Sequence, residues 1–574
     1  MIVKALSQRG IVPIEERRQH MFEERCTKGS RVVRAVLAQA AVCAALTVSA
    51  HAAPPPTVSG NVPVNDPQQL FPQGNPGRMT TSITANPNGR NLFTAFENLL
   101  GLCGPPVGFE CPGPTPEGLT GYSFSTDGGS TWTDAGFPFA IEGNITAGHP
   151  WVARLGRSAD VEAAGRDKGI YMMTSRMQDA NGVGNGLGVY RGGFTANTFA
   201  LRDGTLLNTS DPANNQYSRP AITAAQDGSA DAYVAYINVD EICDIAYAGF
   251  GQVELYRSHD GGESWQGATI VSPDAADILD PNDPNCGFTG QLQIAPDVAI
   301  GIRRDVYVVW QYGPDFLADG TNTLTDSIAF AASMDGGATF NHPKLIANNN
   351  AMRENPPVGY AKNRMNDQPR IAVDLSGPHR GRIYVALYSA VAPTGSNPGD
   401  QVATSSQVYI LYSDDRGRTW TKPAPIAPPV PATGVKRIWP TISVREDGSV
   451  DIVYLESQEV NTGTPCSVAF NPTSFRTGPL SSLVDTYWVQ SRDGGVTFSR
   501  PLKVSTATSN WCEAPYTFAA NNLTDGFLLS NAGDYIGTAS VLNQTLTVFP
   551  DDRSGVMDAF FAKITGLSAG PHHP

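Results

Sequence analysis

Apolar and polar residues alternate with period two along most of this chain. Typical runs are Val253, Leu255 and Val408, Ile410, Tyr412, each a few residues long and ended by Gly, Pro, Asn or Asp. Period two over such short stretches predicts half-buried strands joined by tight turns. A longer pattern repeats on top of it: a Pro or small residue, an alternating strand, a Gly or Asp turn, then a strand of Tyr, Val and Ile. Its copies are Thr81 to Phe96, Pro150 to Ser175, Pro220 to Ile237, Pro296 to Gln311, Pro369 to Tyr388, Pro440 to Leu455 and Asp534 to Phe549, spaced by about 70 to 95 residues. That spacing suits one four-stranded unit with its loops.

Between these copies lie five octapeptides: STDGGSTW (125–132), SHDGGESW (258–265), SMDGGATF (333–340), SDDRGRTW (413–420) and SRDGGVTF (491–498). Each follows one strand and precedes another, so each reads as a hairpin turn. The fifth-position Gly is free to take positive φ, and the Asp carboxylate folds back onto backbone N–H groups of the turn. The closing aromatic is expected to wedge into the core beside its strand. These strings resemble the Asp-box (BNR) repeats of the sialidase superfamily, in which the box is a fold element. The resemblance implies structural roles for Asp127, Asp260, Asp335, Asp415 and Asp493. With it, the two repeats predict an all-β chain, a seven-bladed β-propeller of four-stranded antiparallel blades. The alternative is the six-bladed propeller of sialidases proper. The last copy lacks a fourth strand, which the segment from Thr57 to Pro72 is expected to supply.

Residues 1–52 read as a signal peptide with an upstream extension. Lys28, Arg31 and Arg34 precede the apolar run Val36 to Ala50, and Ala50-His51-Ala52 supplies a small-x-small cleavage site. The propeller is assigned to 53–566 and a short tail to 567–574. Composition agrees with β structure: 58 Gly, 44 Pro and only 16% charged residues. The formal charge is -14 and becomes about -18 without residues 1–52. Such a chain is a poor partner for nucleic acid or an anionic membrane. The expectation is a secreted monomer, extracellular or periplasmic, with no membrane span, meeting an extracellular glycan or glycoprotein.

In a propeller the boxes share one face with the turns between the first and second strands of each unit, which leaves the longer loops on the other face. The six cysteines of the mature chain map to that box-free face and are expected to pair as Cys103–Cys111, Cys243–Cys286 and Cys466–Cys512. Residues entering first strands or leaving second strands should ring its mouth: Arg78, Glu97, His149, Arg176, Arg219, Asp240, Glu241, Tyr312, Asp367, Arg437, Trp439, Glu456, Asp534, Tyr535, Asp551, Asp552 and Arg553. Arginine, carboxylate and aromatic side chains together suit a polar, ring-shaped ligand such as a sugar.

The sialidase resemblance implies a finer site. Arg78, in GRMTTSI, and Tyr535, in GDYIG, fall near the family's first-strand arginine and last-blade nucleophile. The reading makes Tyr535 the nucleophile, with Glu456 and Asp552 as catalytic carboxylates and Arg78, Arg219, Arg437 and Trp439 binding substrate. Arg-Ile-Pro is absent, and Asp534 precedes Tyr535 on the strand and points the other way. Two function classes follow: a sialidase-like exo-glycosidase, or a propeller that binds glycan or protein and breaks no bond. No cofactor is expected beyond calcium at Asp274, Asp277, Asp280 and Asp283.

Overall fold

In the computed structural model, the described residues are 55–66, 77–98, 118–156, 167–179, 184–207, 215–240, 251–272, 292–313, 326–349, 357–360, 368–391, 405–431, 434–461, 480–512, 533–541 and 543–567. They are strand and turn, with one 3-10 turn at Ile302–Arg304 and no α-helix among them. They belong to one compact unit, Pro55–Pro574. Every copy of the long repeat forms an antiparallel pair, such as Arg78–Ala85 with Leu92–Asn98 and Val435–Val444 with Val450–Asn461. In most units the strand leading into the turn is third, as in the order Asn215–Ala224, Ala232–Asp240, Gly251–Ser258, Gln266–Ile270.

The described strands make six sheets. The largest is nine-stranded and consists of two such antiparallel runs joined by one parallel pair, Ser406 with Lys436. The sheet holding Gly537–Val541, Gln544–Asp551 and Asp558–Thr565 is completed from the other end of the chain. Thr57–Val58 and Val62–Pro63 both pair with Asp558–Thr565, so the segment expected to close the ring does pair there.

The first strands of the repeats touch in a cycle. Arg78–Ala85 meets Trp151–Leu155, which meets Asn215–Ala224, then Leu292–Ile300, Arg370–Val373, Val435–Val444 and Gly537–Val541, which returns to Arg78–Ala85. Antiparallel sheets around a common axis define a β-propeller, and closure leaves only short sheet edges. The core lies between sheets. Phe93, Tyr171, Phe194 and Phe199 fill one such gap, and Tyr307, Phe330, Val385 and Leu411 another.

All five octapeptides fold identically. Ser Oγ donates to Asp Oδ1 at 2.7 to 2.9 Å and accepts the fifth-position Gly N–H at 2.8 to 2.9 Å. The seventh-position Ser or Thr donates its N–H to Asp Oδ1 and its hydroxyl to Oδ2. Those glycines have φ from +80° to +85°, and a Cβ on Gly129 or Gly417 would stand 2.1 Å from the ring of Phe561 or Phe330. The closing aromatics Trp132 and Trp420 pack into the gap between sheets, against Phe561 (5.3 Å) and Phe330 (5.0 Å) of the neighbouring sheet. Gly leaves the turn flat enough for the next sheet to lie on it.

Candidate functional site

Most inner strands enter from the box-free face through a distortion. Register slips between Met79 and Ser82, Ser218 and Ala221, Ile294 and Asp297, and Ile438 and Thr441. At the slip sits a residue with left-handed backbone: Thr80 (φ 54°), Arg219 (49°), Ala295 (54°) and Trp439 (48°). His149, just before Trp151–Leu155, has φ 53°. A residue with a Cβ held there costs of order 1 kcal/mol, and bulges of this kind re-aim side chains.

Four side chains from distant parts of the sequence meet at this entrance. Glu97, at the end of Leu92–Asn98, accepts the His149 backbone N–H (3.1 Å) and the Thr80 hydroxyl (2.8 Å). His149 Nε2 lies 3.1 Å from Asp534 Oδ2 and 3.8 Å from Glu97 Oε1. Arg219 Nη2 lies 4.0 Å from Asp534. Asp534 is fully buried; its N–H donates to Thr80 Oγ1, and Tyr360 donates its hydroxyl to the Gly533 carbonyl.

Burial holds the His149 imidazole below its ordinary pKa, against the opposing pull of Asp534 and Glu97. The neutral ring is therefore favoured near pH 7. His149 Nδ1 is buried and has no hydrogen-bond partner among the described residues. With Asp534 accepting from Nε2–H, Nδ1 keeps its lone pair free to take a proton, the arrangement of an oriented general base. Ligand atoms of Glu97, His149 and Asp534 also lie within 4.8 Å of one another, a donor set that suits a divalent metal. Arg219 already supplies positive charge beside Asp534.

Behind this cluster Tyr535 spans the inner strands. Its hydroxyl donates to the Pro150 carbonyl at 2.7 Å, and its ring lies 4.9 Å from that of Trp151. The Arg370 guanidinium sits over both rings, 4.1 Å from Trp151 and 4.9 Å from Tyr535. Burial pushes the Tyr535 phenol well above its usual range. Trp439, Tyr360 and Trp511 form an aromatic wall with centroids 5.4 to 5.7 Å apart. The indole N–H groups of Trp439 and Trp511 find no acceptor among the described residues.

The structure brings Tyr535 and Arg219 to this cluster and sets Trp439 in the aromatic wall, but holds Arg78, Arg437, Glu456 and Asp552 in other pairings. Arg78 is held elsewhere, donating to the Asp66 carbonyl (2.8 Å) and pairing with Asp558 (3.5 Å). Arg437 pairs with Glu456 at 2.7 Å and donates to Gln407 and the Pro428 carbonyl. That pair neutralises an expected binding arginine with an expected catalytic carboxylate. Asp552 accepts the Asn510 N–H, and its carboxyl is pushed up to about 6 by burial. Among the described residues no three arginines converge on the Tyr535 hydroxyl, because Arg78 and Arg437 are committed to other carboxylates. Arg370 was missed: it opens the strand Arg370–Val373 just after Pro369, and its pattern Gln368-Pro369-Arg370 matches His149-Pro150-Trp151 and Ala295-Pro296-Asp297.

Cys512 is disulfide-bonded, to a partner outside the described residues. Cys103, Cys111, Cys243, Cys286 and Cys466, the calcium candidates Asp274, Asp277, Asp280 and Asp283, and Glu241 and Asp367 lie outside the described residues as well. No described helix is long and apolar enough to cross a membrane.

Fold and site together define a β-propeller with a buried His, carboxylate and arginine cluster at one mouth. No family model matches the chain, and no curated protein matches it. Among solved structures it is similar to a polysaccharide lyase, an ulvan lyase (11% identity, TM-score 0.43, covering 87% of this chain and 95% of that one). It is also similar to the α-L-arabinofuranosidase Arb93A of Fusarium graminearum (15%, TM-score 0.41, 69% and 92%) and to the Trypanosoma rangeli sialidase (11%, TM-score 0.36, 77% and 60%). Likeness of this degree fixes no activity.

Proposed function

We propose that this chain is a secreted, seven-bladed, carbohydrate-active propeller whose box-free mouth takes an acidic sugar, with His149 as general base. One observation carries the reading: a buried imidazole has one nitrogen on a carboxylate and the other without a partner. Asp534 orients the ring, and Glu97 fixes the backbone that presents it. Arg219 faces the cluster with Nη1 unpartnered among the described residues, a donor for a substrate carboxylate. The aromatic wall offers stacking area and two indole donors to a sugar ring. The tyrosine-nucleophile version is weaker, because the Tyr535 hydroxyl already donates to Pro150 and its phenol resists ionisation.

The blade count of seven rests on the cycle of inner strands, with the nine-stranded sheet counted as two blades. Secretion rests on residues 1–52, and N-terminal sequencing of exported protein should begin at Ala53. Cys512 is assigned to Cys466, which peptide mapping without reduction would detect.

The deciding experiment incubates purified protein with a panel of fluorogenic glycosides and acidic polysaccharides. His149→Ala should lower turnover by roughly 100-fold to 10,000-fold, the usual worth of a general base. Tyr535→Phe should keep most of it. Turnover that survives His149→Ala and vanishes in Tyr535→Phe reverses the assignment. Binding without turnover in the unaltered protein would leave the non-catalytic propeller.

A further inference from the structure

A cavity of about 500 Å³ runs along the propeller axis, lined by the inner strands and by turns on the box face. Arg370 and Trp151 line it, whereas the mouth residues Glu97, His149 and Asp534 do not. Arg370 is only 2% exposed, and neither Nη1 nor Nη2 has a hydrogen-bond partner among the described residues. Leaving a buried charged donor unsatisfied is costly, and such groups point to something that fills the gap. The flat faces of this guanidinium are taken by the Trp151 and Tyr535 rings. What remains is its edge, with parallel donors spaced to match two oxygens of one planar anion.

The nearest negative charge does not fill that role. Asp297 acts on Arg370 through space, but its oxygens accept the Val298 N–H (2.9 Å) and the Ile371 N–H (3.0 Å). Burial pushes the Asp297 carboxyl up, and burial pulls Arg370 down to about 10, so the cation persists at neutral pH. The volume exceeds that of many water molecules, so the cavity that Arg370 lines has room for a small anion.

We propose that Arg370, at the head of the axial cavity, binds a small planar oxyanion of the carboxylate type, drawn from solvent, through both Nη groups. The site is separate from the mouth, and its existence does not depend on the His149 reading.

The test is a titration of the full-length mature protein with sodium formate, at ionic strength held constant by exchange against sodium chloride. Thermal midpoint and tryptophan emission are followed, since Trp151 lies on the guanidinium. Formate should raise the midpoint saturably, by about 2 °C or more at a large excess over its dissociation constant. Arg370→Gln should abolish the rise, and Arg370→Lys, which offers one point charge, should weaken binding roughly tenfold. Asp297→Asn removes the competing negative charge and should tighten binding roughly tenfold. That variant keeps the proposal testable even if the Arg370 variants fold poorly. His149→Ala should leave the formate response unchanged, which separates this site from the mouth. An equal response in Arg370→Gln, or no tightening in Asp297→Asn, overturns the proposal. Competition between formate and free glucuronate overturns it too, by assigning the guanidinium to the sugar's carboxylate.

Discussion

Asp335 has one job, which its neighbours define. Its carboxylate gathers the Ser333 hydroxyl and the Thr339 N–H and hydroxyl, and these bonds hold its pKa down to about 2. Asp335→Ala should cost about 1 kcal/mol, the scale of a lost capping side chain, reduced because the site is largely exposed. Urea denaturation would measure it. A folded pKa below the unfolded value means this share of stability is full above about 4 and is lost as pH falls through about 2. Asp552 runs the other way: its folded value near 6 lies above the unfolded one. Ionisation therefore opposes folding, and stability attributable to it is lost as pH rises from about 4 through about 6. Asp552→Asn should flatten that slope in melting curves taken between pH 4 and 7. The box aspartates were legible from sequence because all their partners lie within six residues. The surroundings of Asp552 were not legible, because its partners Ser509 and Asn510 lie some forty residues away in the sequence.

Among elements, the distorted entrance of the inner strands carries most of the site. Ala295 shows the distortion without function attached, having left-handed backbone and no polar group. Ala295→Gly should raise stability by up to about 1 kcal/mol by removing that strain, read from the midpoint of denaturant unfolding. The same substitution at His149 should abolish turnover whatever it does to stability. The repeat showed where each inner strand starts, so Glu97, His149, Arg219 and Asp534 were placed at the mouth from sequence. It could not rank them against Arg78 or Arg437, because contacts across a ring depend on which strands face each other through the axis. Arg370 escaped for a related reason: the first residue of an inner strand reads as packing until the empty edge of its guanidinium is seen.

At the scale of the whole molecule, closure of the ring joins segments far apart in the sequence. Thr57–Val58 and Val62–Pro63 lie against Asp558–Thr565, and Asn61 reaches Val504, Thr506 and Arg553. Deleting residues 55–66 should expose the edge of Asp558–Thr565, lower the melting midpoint by several degrees, and promote association visible in light scattering. An unchanged midpoint and a monodisperse sample would count against closure as a stabilising element. The antiparallel pairs and the closing segment were legible because the long repeat recurs along the chain; the join at Ser406 and Lys436, which merges two runs into one nine-stranded sheet, was not, since one bridge leaves no pattern.

The sheet shared by both ends of the chain sets an order of events during biosynthesis. Its first strands leave the ribosome hundreds of residues before Asp558–Thr565 does, and must wait for that partner. Until then the chain is an open string of sheets with an unsealed seam. Only once Asp558–Thr565 has emerged can the two segments pair and seal the ring.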